Sequence, residues 1–256
     1  MIKFFKKIRQ QLLLGNHFNK YLLYAIGEIV LVVIGILIAV QINNWNQERK
    51  VRRQEQALLK KILTEQLTDL KRLEAAIENH MRMNMILEQL QQMIFDLDAM
   101  DIDTLDQQVF DLHVGMLYYS PAYNAKLGFM NSAINSGQVS IIRNDSIATL
   151  IGDWEGLYEN YQDLVQNVYD LVQFQIIPYL ADKHPFADAT KNMQLLDVSY
   201  GSRFATDRRA ILNDRRLETY TELKRIDSNR ALELAQEMHQ AKLLLIELLQ
   251  KEIKKS

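Results

Sequence analysis

The sequence has no cysteine, which excludes disulfides, thiolate metal sites and a cysteine nucleophile. Only three prolines occur, Pro121, Pro178 and Pro185, and only nine glycines in 256 residues. Those are too few turn formers for a sandwich or barrel of many short strands, so the chain is expected to be helical. Basic charge is also short: 30 Lys and Arg face 32 Asp and Glu, for a formal net charge of −2. Lys3, Lys6, Lys7, Arg9 and Lys20 precede any acid, and Glu28 is the one acid before residue 43, so the remainder of the chain is net acidic. A broad nucleic-acid surface is not expected.

Residues 21–42 read YLLYAIGEIVLVVIGILIAVQI. At about 1.5 Å per helical residue this run covers about 33 Å, enough for a hydrocarbon core of about 30 Å. Its Leu, Ile and Val residues favour insertion by roughly 6 kcal/mol together, more than the roughly 3 kcal/mol that one carboxyl costs near the centre, so Glu28 does not veto a transmembrane helix. No small-x-small cleavage pattern closes the run, which argues against a signal peptide. Tyr21 and Tyr24 at one end and Trp45 at the other fit interfacial anchors. The span is read as crossing the inner membrane once. Five basic residues precede it, and Arg49, Lys50, Arg52, Arg53, Lys60 and Lys61 come after it, so the charge count is a tie. Moving an uncompensated basic tail outward opposes the membrane potential, which favours a cytoplasmic N-terminus and a periplasmic C-terminal domain.

Three regions result: a basic amphipathic tail (1–20), the transmembrane helix (21–42) and a helical extramembrane domain (43–256). Within the span Gly27, Gly35 and Ala39 lie on one face with Glu28 beside it, a candidate surface for homo-oligomeric association in the bilayer. Beyond Trp45 the positions of Leu59, Leu63, Leu70, Leu73, Ile77, Leu87 and Ile94 continue one long helix to about residue 97. Gln66, His80 and Asn84 interrupt that seam, so the helix is expected to pack on helices of its own chain rather than form a two-stranded coiled coil. Asp98, Asp101, Asp103 and Asp106 mark a turn and a helix start. A helix is expected from 103 to about 118, another opening at Ser120-Pro121 and running to Ser136, and Gly137 as its left-handed end. Asn144 and Asp145 cap the most regular amphipathic helix, which ends at Pro178. Residues 182–204 read as a connection, and a last long helix runs from about 214 to 253. The fold class is all-α: a transmembrane helix continuing into an up-and-down bundle.

At residues 21–46, ending in Gln-Ile-Asn-Asn-Trp-Asn, and again at 135–161, NSGQVSIIRNDSIATLIGDWEGLYENY, the sequence resembles a family of uncharacterised single-span bacterial membrane proteins. The resemblance covers essentially the whole chain. It implies an N-terminal anchor carrying Gly27-Glu28 and a helical extramembrane region. It carries over no activity, cofactor or catalytic residue.

Motifs for chemistry are missing. His17, His80, His113, His184 and His239 include no pair at helical ligand spacing, and Leu14, Ile77, Phe110, Ala181 and Gln236 stand where a di-iron bundle needs Glu. The Asp96 to Asp106 cluster lacks the EF-hand Gly and Glu and reads as helix capping. Neither a nucleophile elbow around Ser136 or Ser140 nor a phosphate loop occurs. Trp154, Tyr158, Tyr161 and Tyr169 repeat at helical spacing and read as core. No catalytic, metal or cofactor residues are assigned. A non-enzymatic, membrane-anchored interaction or sensory module is expected, contacting the lipid bilayer and an unknown protein partner. An accessory subunit of a transport or export complex, and a membrane-tethered enzyme with a non-local site, are the alternatives.

Overall fold

In the computed structural model, residues 18–193 and 201–255 are described. Of the expected amphipathic tail (1–20), residues 1–17 lie outside them. The chain divides into two compact units, Met1–Ala57 and Leu58–Ser256.

Helix α1 covers Phe18–Phe95. Its length has a simple cause: no proline precedes Pro121 and no glycine falls between Gly35 and Gly115, so nothing in this stretch breaks an α-helix. In the first unit its apolar stretch reaches a mean hydropathy of 2.6 and is not buried within the chain; it is long and apolar enough to cross a membrane.

The second unit is a helical bundle, with no strand among the described residues. Asp101 accepts from the Asp103 N–H to open a 3₁₀ turn at Ile102–Thr104, and Asp106 accepts from Gln108 and Val109 to open α2, Gln107–Gly115. A 3₁₀ turn at Met116–Tyr118 extends α2. Residues 119–127 are then non-helical, and α3 covers Gly128–Asn135. Gly137 comes next with φ 71°, the left-handed end expected of it, before a 3₁₀ turn at Gln138–Ile141. Asn144 caps α4, Asp145–Leu171, by accepting from the Ile147 N–H. A π turn at Val172–Ile176 leads into α5, Ile177–Leu180. Helices α6, Phe186–Asn192, and α7, Arg208–Leu212, are short. Asp214 caps the long α8, Arg215–Lys254.

Three expectations about the elements are corrected. Ser120-Pro121 does not open a helix, because side chains of α1 and α4 hold residues 119–127 through their backbone and through Tyr123. Pro178 does not end its helix: the wider π turn precedes it and places it in the first turn of α5, where its missing N–H costs little. The connection at 182–204 contains α6, packed so closely on α2 that a Cβ on Gly115 would stand 3.1 Å from the Met193 sulfur and 3.2 Å from the Ala189 Cβ. Residues 194–200 lie outside the described set.

Two apolar clusters fill the bundle. One gathers Leu59, Ile62 and Leu73 of α1 with Met130, Ile151, Trp154, Met238 and Leu245. The other gathers Met83, Leu87 and Leu90 with Phe110, Leu117, Ile176, Leu212 and Leu217. Trp154 and Tyr161 are core as expected and Tyr158 packs at the edge, but Tyr169 is 47% exposed.

Candidate functional site

The seam of α1 repeats every three or four residues, and Gln66, Asp69 and His80 occupy fully buried places on it. On α8 the same spacing joins Leu217, Thr221, Lys224, Ser228, Ala231, Ala235, Met238, Lys242 and Leu245, so two lysines stand where apolar residues belong. Burying a charge is costly without partners, and each of these has them.

Lys242 donates to Gln66 Oε1 at 2.7 Å and to Asp69 Oδ2 at 3.0 Å, and its ammonium lies 4.1 Å from the centre of the Trp154 ring. Asp69 also accepts from the Tyr123 hydroxyl and, at 3.0 Å, from the Lys126 N–H. The Gln66 amide completes its bonding at the Met130 sulfur, 3.4 Å away. Burial pulls the Lys242 pKa down, and the Asp69 carboxylate opposes that shift. Burial and the Asp69 contact both push the Tyr123 phenol up.

The same network fixes residues 119–127. The Tyr161 hydroxyl accepts from the Tyr123 N–H at 2.9 Å and stands 3.0 Å from His80 Nε2. The Tyr158 hydroxyl accepts from the Ala125 N–H, and Gln162 donates to the Tyr123 carbonyl at 2.8 Å. Glu65 then accepts from the Phe129 and Met130 N–H groups at 2.7 and 3.0 Å, capping α3 from another helix because Leu127 has no side-chain acceptor of its own. Burial lowers His80 to about 4 and raises Tyr161 to about 12, so both are neutral at pH 7.

Lys224 is enclosed differently. Its Nζ donates to the carbonyls of Met116, Leu117 and Tyr119 at 2.9, 2.6 and 2.6 Å, closing the free end of the α2 turn. Three acceptors call for three N–H donors, which only the ammonium has, while burial pulls its pKa well below the ordinary lysine range. A third buried cluster joins α2 to α6: Asp111 accepts from Asn192 at 3.0 Å and Gln107 at 2.7 Å, with His184 Nε2 at 3.1 Å.

These groups bind the bundle to itself, and two cavities lie beside them. One, of about 360 Å³, is lined by Met83, Ile86, Met116 and Met193, with Asn79, Arg82 and Asn192 among its polar residues. Another runs past Glu74, Glu78, Glu237 and His239 along the surface, where His239 meets Glu74 at 3.3 Å. No group of three His, Cys, Asp or Glu able to hold a metal occurs among the described residues.

The residues singled out in the span are exposed. Nothing lies within 4 Å of a Cβ placed on Gly27 or Gly35, and Glu28 and Ala39 are uncovered. Trp45 is 56% exposed, with the Arg49 guanidinium 4.7 Å from its ring centre. The side chains of Tyr21 and Tyr24 lie outside those described. Sequence reasoning missed Asp69, Tyr123, Lys224 and Lys242. The two lysines had a signal, since they fall in register with the apolar stripe of α8.

Among known proteins, a family model described as a family of unknown function (DUF6090) matches residues 28–176, more than half of the chain. That stretch contains Asp69, His80, Tyr123 and Tyr161 and stops short of both buried lysines. No curated protein and no solved structure matches.

Proposed function

We infer, from the premise that the chain belongs to this family of unknown function, that it is a membrane-anchored helical interaction or sensory module without catalytic chemistry. The observation that carries the reading is the contrast between its two units. The apolar stretch of α1 is wholly uncovered within the chain, whereas in the bundle buried charge is turned inward to hold helices together. An uncovered apolar helix of this length calls for a bilayer around it. We place the anchor in a bacterial inner membrane, with the N-terminus inside and the bundle outside. Gly27, Gly35 and Ala39, with Glu28 beside them, offer the face for pairing with a second copy.

Purification of the native complex in mild detergent, with mass spectrometry of what co-elutes, tests the reading. A stoichiometric membrane or envelope partner is expected. Extraction from membranes by high salt alone, without detergent, overturns the anchor. Alkaline phosphatase fused to the C-terminus is expected to be active. Weakened in-membrane association of Gly35→Ile is the expected sign of pairing through the span.

A further inference from the structure

The cavity of about 360 Å³ between α1, the α2 turn and the end of α6 is within the range of small-molecule sites. Its apolar wall is rich in thioether, with Met83, Met116 and Met193 beside Ile86. Such a wall adapts to a flexible alkyl group. At its polar edge stands Arg82, which is exposed and has no ion-pair or hydrogen-bond partner among the described residues. Asn79 and Asn192 bring amides to the same cavity. The Asn192 Nδ2 gives one of its two hydrogens to Asp111, which leaves the second as a donor for a ligand.

Lys224 braces this wall from behind. Met116 and Tyr119 line the cavity, and their carbonyls are two of the three that hold the Lys224 ammonium. No carboxylate faces Lys224 among the described residues: its described partners are all backbone oxygens. An apolar pocket whose edge carries one guanidinium without a partner among the described residues is complementary to a monoanion with a hydrocarbon tail. A phosphate dianion would want more donors than one guanidinium and two amides provide.

We propose that this cavity is a binding site for a small monocarboxylate with a short alkyl chain, its carboxylate received by Arg82 and its tail lying among the methionines. The site deepens the sensory half of the proposed function and rests on it for its physiological meaning. Its binding can be measured whatever the partner or topology, so failure here would leave anchoring and co-purification untouched.

The test uses the full chain in lipid nanodiscs, titrated with hexanoate and followed by ligand-observed NMR, with empty nanodiscs as the blank. Saturable binding above the blank is expected. Hexan-1-ol, which keeps the tail and lacks the charge, should bind about tenfold more weakly, the difference a charge-assisted hydrogen bond makes. Arg82→Gln should weaken hexanoate by a similar factor and leave the helical circular dichroism unchanged, because Arg82 is exposed. Ile86→Trp, which fills the cavity, should abolish binding. Hexanoate uptake no greater than in empty nanodiscs overturns the proposal. So does equal binding of hexan-1-ol, equal binding by Arg82→Gln, or full binding by a folded Ile86→Trp.

Discussion

Replacing Lys242 by Met keeps the bulk and deletes the ammonium, leaving the Asp69 carboxylate buried with only the Tyr123 hydroxyl, the Lys126 N–H and the more distant Arg72, 3.9 Å away, to face it. Removing one partner of a buried pair costs about 3 to 5 kcal/mol, so Lys242→Met should unfold at markedly lower denaturant concentration. Asp69→Asn added to it should recover part of that loss, because the two changes share one interaction. Equal or greater instability of the double variant would show that the pair is not the source. His80 gives a pH signature. Its folded pKa of about 4 lies below the unfolded value of 6.5, so between those pH values the unfolded chain binds a proton that the folded chain refuses. The stability it provides is complete above 6.5 and is lost as pH falls towards 4, by about 3 kcal/mol in all. His80→Asn should therefore have a flatter stability profile than the parent over that interval. Parallel profiles would mean that the proton is taken up elsewhere.

At the scale of elements, the informative case is α3, whose first turn depends on a residue more than sixty positions away. Glu65→Ala leaves the Phe129 and Met130 N–H groups without their acceptor, and a loss of about 1 to 2 kcal/mol is expected, with little change in helix content. Glu65→Gln should lie between the two, since it keeps an acceptor and loses the charge. This helix also shows where sequence reading stops. The long helices α1, α4 and α8 were legible because their apolar residues repeat at three and four, and local caps such as Asp106, Asn144 and Asp214 mark their starts or those of their neighbours. The start of α3 was not legible, because Ser120-Pro121 carries the local signal while Glu65, Tyr158 and Tyr161 decide the outcome from afar. The buried site was half legible. Gln66 and His80 stood out as polar interruptions of a seam, but their partners at Lys242 and Tyr161 arise from tertiary pairing that no local spacing encodes.

For the whole molecule, both apolar clusters and the buried pair of Asp69 with Lys242 lie within Leu58–Ser256. That fragment should therefore be soluble, helical by circular dichroism and cooperative in thermal unfolding. A non-cooperative melt would mean that the bundle depends on residues before Leu58. The pairing of Asp69 with Lys242 also has a meaning in time, since 173 positions separate them along the chain. At roughly 5 to 20 residues per second a ribosome needs on the order of 10 to 35 seconds to travel from one to the other. Throughout that interval the nascent chain holds the anion without its cation. The apolar stretch of α1, long enough to cross a membrane, is made earlier still, before the core that its own continuation builds can close.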